Sequence, residues 1–316
     1  MAKVVSLPRQ RPATWEEALR EFLMWKQAHG AAPRTLEDYR KRVSQFYQQH
    51  PEAWHPERLK AAAYAFLAEP VKPATYNLRL VYLRAFLSWC VKEGVYPENP
   101  LAGFRRRKDP GRQVRVPEEV LAELLQQPDR KTYAGLRDYA ALLVFLDTGI
   151  RPSELFALLP SDVDLRAGEI RVRPEIAKTR VPRTLPLTPP AVGAVRQLLA
   201  ARHPQWPDTV PLFASENGTR LAPSSWRDRL KKYVARIGVR LRPYDLRHAF
   251  ALLFLKSGGH ALALQRFLGH ADLTMCKRYV ALTQKDLREQ HALASPLQSL
   301  LPRRHRVRKV RGEDQR

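Results

Sequence analysis

A basic segment between residues 105 and 117 divides this chain and limits how it can fold. Six of its residues are Lys or Arg, and Pro110-Gly111 lies near its middle. Proline and glycine interrupt helices and strands, and clustered charges need solvent or an opposite charge. We therefore expect an exposed linker over residues 105–116, with a separate hydrophobic core on each side.

The length supports this division. A chain of 316 residues with 44% hydrophobic content can fill two ordinary cores. We expect a helical domain over 12–104, the linker over 105–116, a second domain over 117–295 and a basic tail over 296–316.

The charge predicts a polyanionic partner. The chain carries a formal charge of +24, and residues 105–116 and 303–316 contribute +5 each. A solvated basic surface that aids solubility is the alternative explanation of the charge alone. The chain has no apolar run of membrane-spanning length and no secretory signal, so we expect a cytoplasmic, nucleoid-associated protein. Cys90 and Cys276 form neither a metal-ligand spacing nor a disulfide framework, so no metal site is expected.

The first part of the chain has helical periodicity and well-spaced proline and glycine signals. It predicts four helices, over about 14–29, 35–50, 56–67 and 74–92. Thr14 and Glu17 have the spacing of a capping box at the first helix. In the fourth helix the apolar residues share one face, and Arg79 and Arg84 are expected to point elsewhere and be free to face DNA.

The second part predicts a mixture of helices and short strands. An apolar helix over 136–146 leads to the turn Thr148-Gly149, just before Arg151. Two antiparallel strands are expected at about 169–173 and 184–187, with Lys178 in their connection. Further helices are expected at about 189–201, 224–237, 243–256, 261–268 and after Leu273. The predicted fold class is mainly α with a small antiparallel β-sheet.

Four short stretches in this second part carry groups suited to phosphodiester chemistry. They are TGIRPSEL around Arg151, YDLRH around Arg247, LGH ending at His270, and Tyr279 nine residues later. Arginine guanidinium groups form a fork that holds a phosphate, and a tyrosine oxygen can attack it.

With these boxes the sequence resembles the tyrosine recombinases of the integrase and Xer type. TGIRPSEL resembles the first arginine box of that family, AKTRVPRTLPL its lysine hairpin, YDLRHAFA its second arginine box and LGHADLTMCKRY its last box. TYNLRLVYLRAFLSWCVKEGVYPENPLAG is similar to the end of its N-terminal domain. The resemblance implies a four-helix SAM-like core-binding domain and a mixed α+β catalytic domain, which together form a C-shaped DNA clamp.

The resemblance also implies a role for each residue at a matching position. Tyr279 is the nucleophile, and Arg151 and Arg247 hold the nonbridging phosphate oxygens. Lys178 is the general acid for the departing 5′ oxygen, with Arg180 or Arg183 as alternatives. His270 donates a hydrogen bond to the scissile phosphate. Apart from the resemblance, Glu154 lies one helical turn after Arg151 and is expected to orient the first guanidinium rather than react, with a surface ion pair as the alternative.

Tyr244 departs from the family pattern. The second box usually begins with histidine three residues before its arginine, and this chain has tyrosine there. A free phenol, with a pKa of about 10, accepts a proton less readily than imidazole at neutral pH. Our hypothesis is that Tyr244 keeps a phosphate contact while the proton of Tyr279 goes to water or another group.

The implied reaction stores bond energy in a 3′-phosphotyrosyl ester, so it needs no cofactor, ATP or metal. A P-loop, an acidic metal cluster and a dinucleotide motif are absent from the sequence in suitable context, which agrees with that expectation. Double-stranded DNA is the expected partner. The residues expected to bind it are Arg79, Arg84, Arg105, Arg106, Arg107, Lys108, Arg180 and Arg183.

The family resemblance further implies a tetramer on two DNA sites, built from this chain alone or with a related recombinase. Residues 283–301 are the segment expected to dock on a neighbouring subunit. With about 13 residues before the first helix, a separate arm-binding domain of the lambda type is not expected. This favours an Xer-like or plasmid and phage resolvase-like enzyme, and leaves open both chromosome-dimer resolution and movement of a mobile element.

Two other functions compete with recombination. A type IB topoisomerase uses similar chemistry but relaxes DNA as a monomer, and the small two-domain layout argues against it. A DNA-binding protein that has lost catalysis is suggested by Tyr244, but the intact Arg151, Lys178, Arg247, His270 and Tyr279 argue against it.

Overall fold

The structure, a computed structural model, describes residues 11–109, 115–269 and 291–292. Over these ranges it is mainly helical with one three-stranded antiparallel sheet, which confirms the predicted fold class. The chain divides into two compact units, Met1–Gln113 and Val114–Arg316. The finer domain bounds and the basic tail stay predictions.

The first unit contains the four predicted helices: α1 Trp15–Ala28, α2 Pro33–Gln49, α3 Pro56–Ala68 and α4 Pro73–Lys92. The first half of the predicted capping box is confirmed, since the Thr14 hydroxyl accepts a hydrogen bond from the Glu17 amide. The Glu17 carboxylate accepts from the amide of Ala13 instead of that of Thr14. Each of α2, α3 and α4 begins with proline, which lacks the amide hydrogen that a first helical residue leaves unpaired.

Aromatic side chains form the centre of this unit. Phe22 of α1 is fully buried, and it meets three other rings edge to face. They are Tyr39, Phe86 and Trp89, at centroid distances of 5.0, 5.4 and 5.7 Å. Such contacts fix the relative position of α1, α2 and α4.

The second unit contains seven α-helices whose bounds lie within its described residues. They are α5 Glu118–Leu125, α6 Tyr133–Thr148, α7 Pro152–Leu155, α8 Pro189–Ala200, α9 Pro223–Arg236, α10 Pro243–Lys256 and α11 Ala261–Leu268. Helix α6 is buried along most of its length, as its apolar sequence predicts. The helix predicted after Leu273 lies outside the described residues.

The sheet consists of β1 Val163–Asp164, β2 Glu169–Val172 and β3 Arg183–Pro186, in that order. In the register of β2 and β3, Ile170 lies opposite Leu185, and both side chains are buried against the core. Strands β2 and β3 confirm the predicted hairpin, and Lys178 lies in their connection.

A buried polar cluster ties α6 to α9. Asp138 accepts hydrogen bonds from Arg137, Arg229 and Tyr233. Burial, together with the bond to Asp138, raises the pKa of Tyr233 to about 12. The buried polar groups of this cluster form hydrogen bonds with one another, so we interpret the cluster as structural.

No helix within the described ranges has the length and apolarity needed to cross a membrane.

Candidate active site

Arg151 lies at the junction between two helices. Helix α6 is followed by its C-cap residue Gly149, which adopts a left-handed conformation with φ of +61°. Two residues later Arg151 caps the short helix α7, and its amide donates to the Glu154 carboxylate at 3.2 Å. The Arg151 guanidinium donates to the same carboxylate at 3.0 Å. The first box is therefore a turn that places one arginine beside one carboxylate.

Glu154 is fully buried and binds more than Arg151. Arg183 donates to its two oxygens at 2.6 and 3.3 Å, and the Lys178 amide donates to one of them at 3.3 Å. Burial alone would raise the pKa of Glu154, but the bonds and charge of Arg183 and the charge of Arg151 outweigh it, so this pKa is lowered. Glu154 is thus a buried anion that joins the first box to the hairpin.

Arg247 lies on α10 and is 1% exposed. Its guanidinium donates to the Gly149 carbonyl and to the Leu268 carbonyl, both at 2.5 Å. Burial and the nearby charge of Arg151 lower the pKa of Arg247 to about 10. The group is therefore still a cation at neutral pH.

Three arginines converge on the C-terminal end of α11. The bonds are Arg183 Nε to Phe267 O at 3.0 Å, Arg247 Nη2 to Leu268 O at 2.5 Å and Arg151 Nη2 to Gly269 O at 3.2 Å. The last carbonyls of a helix lack partners within the helix, and the negative end of its dipole attracts cations. His270 is the next residue in the sequence. This end of α11 is where the first box, the hairpin and the second box meet.

Lys178 and Arg180 lie in the connection between β2 and β3, and both side chains are exposed. The backbone of Lys178 is tied to Glu154, as described above, while Arg180 has a positive φ of 55°. The backbone of Lys178 is therefore held by the buried carboxylate, while its side chain is accessible to solvent.

Tyr244 lies in the first turn of α10, three residues before Arg247. It is 46% exposed, and its ring meets that of His248 edge to face at a centroid distance of 4.8 Å. The structure therefore places a phenol on the accessible side of the helix that carries the buried arginine.

His270 and Tyr279 lie outside the described residues, so their predicted roles remain proposals.

Of the six predicted DNA contacts in the first unit, four have exposed side chains, while Arg84 is partly buried and Arg79 is buried. Four side chains at the start of the linker are exposed: Arg105, Arg106, Arg107 and Lys108. The Asn77 side chain bonds both backbone groups of Arg107, at 2.8 and 2.9 Å, and the Arg107 guanidinium lies 3.8 Å from the centre of the Tyr76 ring. Arg84 is partly buried and donates to the Phe104 carbonyl at 3.0 Å. Helix α4 thus holds this part of the linker in place.

The expectation that Arg79 points away from the core is wrong. Arg79 is 5% exposed, donates to the Phe66 carbonyl at 2.8 Å and pairs with Glu69 at 2.7 Å. Its position, three residues after Tyr76 and four before Leu83, places it on the buried face of α4. That spacing is readable in the sequence and identifies Arg79 as a buried residue.

Arg183 also departs from the expectation of a phosphate contact. Its side chain is 9% exposed and is engaged by Glu154 and the Phe267 carbonyl. These partners lie 29 and 84 residues away in the chain, so local sequence gives no signal for them.

The chain is similar to the members of one family of known proteins. The model of the phage integrase family matches residues 115–286. The chain is 30% identical to tyrosine recombinase XerC of Proteus mirabilis over 311 residues, which cover 94% of this chain and 98% of that protein. It is 34% identical to XerC of Serratia marcescens over 230 residues, which cover 72% of this chain and 74% of that protein.

Solved structures share the fold. The Tn1549 transposon integrase in complex with transposon right end DNA matches with a TM-score of 0.68 and 20% identity, covering 88% of this chain and 99% of that one. A lambda integrase tetramer bound to a Holliday junction matches with a TM-score of 0.64 and 20% identity, covering 87% of this chain and 83% of that one.

Proposed function

The chain belongs to the phage integrase family, and on that basis we propose how its residues exchange DNA strands. It is a site-specific tyrosine recombinase, an enzyme that breaks and rejoins DNA. The observation that carries our assignment of residues is the meeting of Arg151, Arg247 and the hairpin at the end of α11, one residue before His270.

The first step is an in-line displacement at phosphorus. The Tyr279 oxygen attacks the scissile phosphate, a tyrosyl O–P bond forms, and the bond from phosphorus to the 5′ oxygen breaks. Lys178 gives a proton to the departing 5′ oxygen, which leaves as a hydroxyl. In the second step the 5′-hydroxyl of a partner strand attacks the phosphorus of the 3′-phosphotyrosyl ester and loses its proton as the new O–P bond forms. The tyrosyl O–P bond breaks, and the Tyr279 oxygen regains a proton. Because one ester replaces another, the reaction needs neither hydrolysis nor ATP.

Arg151 and Arg247 stabilise the charge that develops on the nonbridging oxygens. Loss of one donor at a comparable oxyanion site costs about 3 to 4 kcal/mol of transition-state stabilisation. Arg247 stays protonated at neutral pH despite its burial, so it can serve as such a donor once the phosphate takes a place beside the helix carbonyls. His270 adds a further hydrogen bond to the same phosphate.

Tyr244 contacts the phosphate in place of the histidine that is usual in the family. Its exposure and its place one turn before Arg247 support this role. The proton of Tyr279 then goes to water or to another group, since a phenol is a poor acceptor at neutral pH.

Double-stranded DNA is the partner, and the exposed basic side chains at 105–108 and Arg180 lie along its phosphates. The active form is a tetramer on two DNA sites, as the lambda integrase tetramer suggests by analogy. A largely apolar groove of about 530 Å³ on the second unit, lined in part by Leu187, Leu253 and Phe267, supports this assembly. Residues 283–301 of a neighbouring copy would occupy it. We place the working enzyme on the nucleoid of the cytoplasm.

The test of this function is a duplex with a nick close to the cleavage site. A nick lets the short cleaved strand diffuse away, so the covalent adduct accumulates. The site itself is first mapped by capturing the adduct on genomic DNA. We expect the adduct and, on intact sites, the joining of two duplexes. Relaxation of supercoiled DNA without joining would favour the topoisomerase, and absence of any adduct would favour the binding protein.

A further inference from the structure

Arg183 joins three parts of the second unit that are far apart in sequence. We propose that Arg183 is a positioning residue, which fixes the geometry of Arg151 and of the end of α11 without touching DNA. This inference rests on the proposed function, since it concerns the same phosphate site.

The first connection is to Glu154. Arg183 donates to both carboxylate oxygens, at 2.6 and 3.3 Å. The same carboxylate accepts from the Arg151 guanidinium at 3.0 Å. A bidentate bond sets the plane of the carboxylate as well as its position. The direction of the Arg151 guanidinium therefore depends on Arg183.

The second connection is to the end of α11. Arg183 Nε donates to the Phe267 carbonyl at 3.0 Å. The guanidinium also packs against Gly269, where a Cβ atom would lie 3.2 Å from Arg183 Nη1. The glycine of the LGH box therefore leaves room for this guanidinium. The next two carbonyls, of Leu268 and Gly269, accept from Arg247 and Arg151, so Arg183 helps to fix the acceptors that both of these arginines use.

The third connection is to the lysine hairpin. Arg183 is the first residue of β3, and Lys178 is five residues earlier. The Lys178 amide donates to the carboxylate that Arg183 holds, at 3.3 Å. One planar side chain with donors on three nitrogens thus links Glu154, the end of α11 and the hairpin. Lysine has a single ammonium and cannot make this set of directed bonds.

The experiment measures single-turnover cleavage of the nicked duplex at saturating enzyme. Wild-type protein must first form the adduct, because its failure to do so would count against the proposed function and not against Arg183. Given that adduct, we expect Arg183→Ala to slow cleavage about 100-fold, the size of effect that a misplaced catalytic group produces. Arg183→Lys should also be slow, since it restores charge but not the fork. Arg183→Lys keeps a positive charge beside Glu154, so it can be tested as a folded protein even if Arg183→Ala is unstable.

DNA binding separates positioning from a phosphate contact. The affinity of Arg183→Lys and its dependence on salt should match wild type. Arg180→Ala, at an exposed position in the same hairpin, should instead weaken binding. It should also reduce the salt slope, the slope of log affinity against log salt concentration, by about one. If the Arg183 variants lose salt slope as Arg180→Ala does, Arg183 is a phosphate contact and the proposal fails.

Arg173→Ala is the matched structural control. Arg173 pairs with the buried carboxylate of Asp162 at 2.7 Å in the same unit, but bonds neither Glu154 nor α11. Its cleavage rate should equal that of wild type when measured on folded protein.

A substrate with a methylphosphonate at the scissile position gives a further readout, because it removes a negative charge that Arg151 and Arg247 neutralise. The defect of Arg183→Lys should shrink several-fold on this substrate. Wild-type cleavage by Arg183→Lys, or an equal defect on both substrates, would overturn the proposal.

Discussion

Glu154 is buried, and two guanidinium groups and two backbone amides donate to it. Removing one partner of a buried ion pair leaves the other charge without compensation, which costs more than the pair itself contributes. Glu154 therefore links folding stability to the placement of Arg151.

Glu154→Gln should lower the free energy of unfolding by about 3 kcal/mol at pH 7. Burial raises the pKa of Glu154, but Arg183 and Arg151 lower it by more, so the folded pKa lies below the ordinary value of 4.5. The stabilisation is therefore complete above pH 4.5 and is lost as pH falls through the folded pKa. Urea unfolding between pH 7 and pH 3 measures it. A wild-type-to-variant difference that stays constant across this range would contradict the ion-pair explanation.

Tyr244→Phe should slow single-turnover cleavage about tenfold, because one hydrogen bond to the phosphate is lost. Tyr244→His should make cleavage depend on pH near 6.5, since neutral imidazole can accept the proton that a phenol cannot. Both rates are measured from pH 6 to 9 on the nicked duplex. If Tyr244→His cleaves at the wild-type rate throughout, the identity of this residue does not limit the reaction.

The burial of an individual arginine can be predicted from the sequence only where helical spacing places it among apolar residues. Arg79 shares the helical face of Tyr76 and Leu83, so its burial follows from spacing in α4. Arg180 and Arg183 are three residues apart in one basic hairpin, yet only Arg180 is exposed. Their difference arises from partners that folding brings together from distant parts of the chain.

The turn that ends α6 is the element on which the first box depends. Gly149 has φ of +61°, and a Cβ atom there would lie 2.4 Å from Phe250 Cδ1 and 2.9 Å from Leu268 Cδ2. Its carbonyl also accepts from Arg247. The turn therefore needs glycine both for its backbone conformation and for the space beside α10 and α11.

Gly149→Ala should destabilise the protein by about 2 to 4 kcal/mol, since backbone strain and overpacking add. Gly238→Ala is the control, because Gly238 has a similar φ of +69° with nothing within 4 Å of its Cβ position. It should cost only about 1 to 2 kcal/mol. Urea unfolding of both variants compares the two. Equal losses would show that the packing beside Gly149 has no energetic weight.

The long helices of this chain are predicted well from the sequence. An apolar face with helical periodicity and a proline at a helix start are both visible in a short stretch of residues. Helices α1 to α4 and α8 to α11 begin and end within about two residues of the predicted positions. The two-residue strand β1 and the short helix α5 were not predicted. A pair such as Val163 and Ile170 is defined by its partner strand and not by its own sequence.

The proposed tetramer would use the apolar groove on the second unit. Leu253→Glu puts a charge into this groove and should prevent the docking of a neighbouring copy, because burying an unpaired carboxylate is costly. We expect binding to a single site to persist and the tetramer on two sites to be lost in analytical ultracentrifugation with DNA. Leu262→Glu is the control, since Leu262 is an exposed leucine on α11 that does not line the groove. Tetramers that survive in Leu253→Glu would count against this docking site.

Every role proposed for the whole enzyme requires that DNA become esterified to Tyr279. We would capture the adduct on nicked duplex, digest the protein and identify the DNA-linked peptide by mass spectrometry, with Tyr279→Phe in parallel. We expect the nucleotide on Tyr279 in the wild-type protein, and duplex binding without any adduct in Tyr279→Phe. An adduct on another residue, or strand cleavage by Tyr279→Phe, would contradict the proposed mechanism.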